Sequence, residues 1–140
     1  MAFKLYSTDD GHVPGWEYLT SGAIKPQVGL GVELNPNTGK LRVSQVPNYI
    51  VMRTEDATVK DGTVLPAVKI TEDQVWESRL YSAATSAKVG MKVDLSESGL
   101  WVDATKTNKC NFLITYLEGT YKNSLVRGRF VPEKVATASS

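Results

Sequence analysis

The chain has 140 residues, 41% hydrophobic and 22% charged, which is one globular domain's worth of sequence with a core of its own. No run approaches the ~18 apolar residues that span a bilayer, so a helical membrane protein is excluded. Sixteen basic against fifteen acidic residues, balanced in both halves, leave no positive excess for gripping phosphates; one cysteine and one histidine exclude an internal disulfide and leave little for a metal site.

Residues 1–27 read as an irregular N-terminal arm. FKLY (3–6) reads as a short strand, with Asp9-Asp10-Gly11 and Val13-Pro14-Gly15 as turn material. Trp16-Glu17-Tyr18-Leu19 alternates in strand fashion, with Trp16 and Tyr18 on one face and Leu19 on the other. The segment has no apolar core of a secretion signal and places two aspartates where one would lie. Tyr6, Trp16 and Tyr18 stand out, since their polar and glycine-rich neighbours cannot build a core around them. Such a segment gains order by packing across a surface. The surface is either a partner's, with the aromatics as anchors, or the chain's own, with Trp16 as a plug.

From Val28 the texture becomes that of a β-domain over residues 28–131. GLGVEL (29–34), a turn at Asn35–Gly39 and KLRVS (40–44) form a hairpin. NYIVMRTE (48–55) is a largely apolar strand, and TVLPAVKI (63–70) is a second, placed at an edge or bulge by Pro66. QVWESRL (74–80) alternates, with Trp76, Ser78 and Leu80 on one face and Val75, Glu77 and Arg79 on the other. YSAATSAK (81–88) is a loop or the one short helix. MKVDL (91–95), LWVDAT (100–105), NFLITYLEG (111–119) and SLVRGRFV (124–131) complete the domain, and residues 132–140 are a short polar tail. There is no exact repeat.

These elements predict an all-β fold of about eight to ten strands, a compact β-barrel or β-sandwich, as sixteen Val, four Ile and thirteen Thr also favour. An α+β fold with 81–88 helical is the competing class. The expected core comprises Ile50, Met52, Val64, Val68, Trp76, Val93, Leu95, Val102, Phe112, Ile114, Tyr116 and Val126, and Trp101 is expected to pack there too.

No catalytic constellation emerges. His12 sits in a Gly-His-Val-Pro loop without a nucleophile or enough ligands for a metal. Cys110 follows Lys109 but has no histidine partner, and reads as a structural thiol. Gly29 and Gly31 open no helix and lack dinucleotide-binding spacing. Arg127 and Arg129 share one face of the last strand. They are outward, ion-paired residues, or part of an OB-like nucleic-acid-binding face if exposed aromatics lie beside them. The reading is therefore a binding protein with no catalysis, no cofactor and no metal. A small hydrolase or chaperone cofactor is the more distant alternative.

The order and spacing of GWEYLTSGAIKPQVGLGVELNPNTGKLRVS (15–44), NYIVMRTEDATVKDGTVLPAVKI (48–70), KVGMKVDLSESGLWVDATK (88–106) and SLVRGRF (124–130) resemble a group of head decoration, or capsid cement, proteins of tailed bacteriophages and prophages. The resemblance implies a β-barrel or β-sandwich made in the host bacterial cytoplasm. It also implies binding to assembled major capsid protein on the virion exterior, as a homotrimer, with no nucleic acid or membrane as partner. Tyr6, Trp16, Tyr18, Arg127 and Arg129 are then the candidates for capsid or subunit contacts. Residues 106–111 and the tail have no counterpart in the resemblance.

Overall fold

A computed structural model describes residues 2–133, so most of the expected tail lies outside the described residues. The fold is all-β, with strands β1 (Lys4–Thr8), β2 (Glu17–Thr20), β3 (Gly31–Leu34), β4 (Leu41–Val43), β5 (Tyr49–Val51), β6 (Val64–Lys69), β7 (Gln74–Arg79), β8 (Lys92–Leu95), β9 (Val102–Asp103), β10 (Phe112–Leu117) and β11 (Leu125–Phe130). They form two antiparallel sheets in a sandwich-like arrangement, in the orders β2-β6-β5-β3-β4 and β1-β7-β11-β10-β8-β9. No helix occurs among the described residues. Segment 81–88 is a looped stretch that buries Ala84 and Ala87, and Ala84 N–H donates to Thr120 O at 2.9 Å.

Leaving β1 aside, the two sheets have one connectivity. Strands β2 to β6 pair as β7 to β11 do, element for element. Each sheet curls, under the usual strand twist, until the residue after its first strand forms a parallel bridge to its third. These bridges are Ser21 to Leu41 and Leu80 to Val102, and neither sheet closes fully into a barrel. The hydrogen bonds repeat as well. Gly29 N–H donates to Val51 O at 2.8 Å, and Gly90 N–H donates to Ile114 O at 2.8 Å. Gly62 N–H reaches Ser21 O at 2.8 Å, and Asn123 N–H reaches Leu80 O at 3.0 Å. Gly29 and Gly90 both have φ of +95°, while Gly62 and Asn123 have +93° and +69°. Residues 17–70 and 76–131 are thus two versions of one unit. The sequence trace is short: VGLGVEL (28–34) and VGMKVDL (89–95) share Val, Gly, Val and Leu at matching places.

Each unit fills the inside of its curl with equivalent residues. Val32, Leu41, Tyr49, Val51 and Leu65 occupy the first, and Val93, Val102, Phe112, Ile114 and Val126 the second. Ile50 and Val68, on the opposite face of the first sheet, join the second cluster and bind the units together. The units also touch through backbone, where Gly31 N–H donates to Gly99 O at 2.8 Å.

The N-terminal segment is more ordered than the expected irregular arm, with strands where FKLY and the alternation of Trp16-Glu17-Tyr18-Leu19 allowed them. Residues Lys4–Thr8 and Glu17–Thr20 are edge strands, one in each sheet, and only the stretch between them crosses over. Phe3 is buried at 2% exposure. Its ring centroid lies 5.9 Å from that of Phe112 and 5.2 Å from that of Phe130, while its N–H donates to Gly29 O at 3.1 Å. It ties one unit to the other. Trp16 is no plug, being half exposed.

Two expected core residues lie outside. Tyr116 is exposed because a bulge between Ile114 and Tyr116 inserts an extra residue, turning Tyr116 to the face opposite Ile114. Val64 begins β6 on the outward face, opposite Thr20 of an edge strand, where it is half exposed. Met52 and Trp101 are only partly buried. Pro66 lies in an inner strand, not at an edge or a bulge. Its carbonyl accepts from Met52 N–H at 2.9 Å, so its missing N–H points the same way, just past the end of β5.

Candidate attachment surface

The outward face of the six-stranded sheet carries a row of side chains across four strands. Cross-strand partners on one face of a sheet lie close enough to interact, and here Lys4 faces Glu77, Glu77 faces Arg127 and Arg127 faces Tyr116. Tyr6 sits at an irregularity of β1 between Leu5 and Ser7, which swings its ring over the row. The Arg127 guanidinium lies between two rings, with its carbon 3.9 Å from the Tyr6 centroid and 4.6 Å from that of Tyr116. Its Nε donates to Glu77 Oε2 at 2.8 Å.

Stacking and pairing together fix a side chain that would otherwise be mobile. The hydrogen bond to Glu77 raises the Arg127 pKa further above its ordinary value, so the guanidinium is charged at every relevant pH. Tyr6 and Tyr116 are 54% and 42% exposed. They present ring surface in a pose already set.

Arg129 lies one step along the same strand face. Its two terminal nitrogens grip Asp9 at 2.8 and 3.2 Å, and one also donates to Glu72 O at 3.1 Å. The Asp9 carboxylate raises the Arg129 pKa. This pairing holds the turn after β1 against the sheet. Within that turn Asp10 accepts from His12 N–H at 2.9 Å, which pulls the Asp10 carboxyl below its usual value.

The five contact candidates therefore divide. Tyr6, Arg127 and Arg129 come together on the six-stranded sheet. Tyr18 lies on the other sheet, where it faces Pro66 and is 68% exposed beside exposed Val64, and Trp16 immediately precedes that sheet's edge strand β2. Tyr116 and Glu77 complete the row and were not singled out by sequence reasoning. Glu77 was legible as an outward residue of an alternating strand. Tyr116 was not, because a bulge leaves no mark in the pattern of NFLITYLEG.

Elsewhere the chemistry is structural. Cys110 adopts φ of +53°, and its N–H and that of Lys109 donate to the buried Asp94 carboxylate at 3.0 and 2.7 Å. Among the described residues no group of three or more His, Cys, Asp or Glu side chains is placed to hold a metal ion, and no helix is long and apolar enough to cross a membrane. Comparison with protein families, with curated proteins and with solved structures finds no match for this chain.

Proposed function

We propose that the protein is a capsid decoration protein, which binds assembled major capsid protein on the outside of a phage head and reinforces it without catalysis. The observation that carries this reading is the Tyr6–Arg127–Tyr116 row: aromatic surface held rigidly on a sheet, with its cation already neutralised by Glu77. Fixed aromatic and arginine side chains are the residues that dominate protein–protein binding energy. The sequence resemblance supplies the kind of partner.

The OB-like alternative gains the exposed aromatics that it needs beside Arg127. Against it, Arg127 and Arg129 are both committed to carboxylates, so neither offers a free charge to a phosphate. The test is co-sedimentation of the purified protein with empty assembled heads built from the capsid protein of the same genome. Binding to heads, together with no retention of single-stranded DNA at low salt, is expected. Salt-sensitive DNA binding without head binding would instead favour the nucleic-acid reading.

A further inference from the structure

We propose, resting on the capsid reading above, that the row Lys92–Leu113–Arg129, with Tyr116 beside it, receives an acidic loop of the partner protein. The loop sets a carboxylate against Lys92 and an apolar side chain against Leu113.

The internal repeat marks this row as an interface. In the first unit Gly31, Ile50 and Val68 lie opposite one another across three strands. Lys92, Leu113 and Arg129 hold the equivalent places in the second. Met52, whose N–H donates to Pro66 O at 2.9 Å, corresponds in the same way to Tyr116 opposite Arg127.

The first row is covered by the second unit. Gly31 N–H donates to Gly99 O at 2.8 Å, Ile50 and Val68 lie in the second cluster, and Met52 packs against it. Like units joined through unlike faces leave one copy of the joining face unused. That copy is the row of the second unit. Lys92 and Tyr116 are exposed there, and Leu113 is half-buried yet belongs to neither core cluster.

The chemistry of the row selects the occupant. Where the first unit has glycine and valine, the second has lysine and arginine. Arg129 is paired with Asp9, but Lys92 has no carboxylate within ion-pairing distance among the described residues. The acids of this face are engaged elsewhere. Glu77 pairs with Arg127, and the Glu118 carboxylate accepts from Leu125 N–H at 3.1 Å. Asp94, two residues along β8 from Lys92, is buried and accepts from the Lys109 and Cys110 N–H groups.

Asp9, Glu72 and Asp73 gather at the Arg129 end of the row. That end is two strands from Lys92, about 10 Å at ordinary strand spacing. This exceeds the roughly 8 Å over which physiological salt screens a charge. Lys92 is therefore an exposed cation with no competitor, beside apolar Leu113 and the Tyr116 ring. A phosphate polymer would find only this one free charge in the row, because Arg127 and Arg129 are held by Glu77 and Asp9.

Carbodiimide coupling, which forms an amide between a lysine amine and a carboxylate in contact with it, tests this on the full chain bound to empty assembled heads of the same genome. Mass spectrometry of the digest should show Lys92 joined to an aspartate or glutamate of the capsid protein. Lys92→Glu should weaken head binding at least roughly tenfold, because it sets like charges together. Lys92→Gln, which adds no acid beside Asp94, should keep the melting temperature, lose the link and weaken binding roughly threefold, the scale of one ion pair. Heads bound equally well by the parent chain and both variants, with no link at Lys92, would overturn the proposal and leave the capsid reading standing. A parent chain that binds no heads would overturn both. Lys92 links between two copies without heads, or single-stranded DNA retained by the parent and released by Lys92→Gln, would give the row another occupant and overturn it too.

Discussion

Phe3→Ala should destabilise the protein by about 3–5 kcal/mol, the cost of removing a large ring from a closely packed site. In a domain of this size that lowers the melting temperature by roughly 10–20 °C. The expectation follows from where Phe3 stands. It is buried against Phe112 and Phe130 of the second unit, and its N–H bonds to Gly29 of the first. Losing the ring opens a cavity at the junction of the two units, where neither can collapse alone to fill it. For the same reason a chain beginning at Val28 should fail to fold. It would lack Phe3, β1 and β2, leaving β6 and β7 each with one of their two neighbouring strands missing. Urea denaturation checks both. A Phe3→Ala change below about 1 kcal/mol, the range of a surface substitution, would show that the segment is not part of the core.

Gly29→Ala should cost more than Gly90→Ala, although the two glycines occupy equivalent places and share φ of +95°. A side chain at that φ costs about 1–3 kcal/mol in either position. Around Gly90 nothing lies within 4 Å of an added Cβ, so that strain is the whole effect. At Gly29 the Cβ would lie 2.3 Å from Phe3 O and 2.6 Å from Ala2 Cβ. The backbone of the N-terminal segment must then move, and the Phe3 N–H bond to Gly29 O moves with it. Overpacking of this kind adds about 1–3 kcal/mol. The difference between the two variants, read from denaturant midpoints at equal slope, isolates the clamp from the turn. Equal costs would mean that residues 2 and 3 do not press on Gly29.

Local alternation made much of the fold legible. QVWESRL places Trp76, Ser78 and Leu80 inward as expected, and the hairpin of GLGVEL with KLRVS forms with Val32 opposite Val43. The failures have two causes: a deciding partner that is remote in sequence, or a local irregularity that leaves no mark in the pattern. Phe3 is absent from the expected core because its partners Phe112 and Phe130 lie more than a hundred residues away. Pro66 is admissible in an inner strand only because β5 stops at Val51. Tyr116 turned outward on a bulge that no periodicity announces.

The repeat was half visible. The likeness of VGLGVEL to VGMKVDL is readable, but its meaning depends on ladder pairing and on two glycines of the same φ. Of the candidate attachment surface, the sequence offered Tyr6 and Arg127 separately. Their contact at 3.9 Å arises from the approach of β1 to β7 and β11.

The claim that this row is the attachment face meets its most direct test in the affinity of Tyr116→Ala for assembled heads. Tyr116 is exposed and outside both core clusters, so the variant should keep the melting temperature of the parent chain. Removing a central aromatic anchor costs about 2 kcal/mol or more of binding, so the affinity should fall at least roughly 30-fold. Head binding unchanged in a fully folded Tyr116→Ala protein would contradict the account.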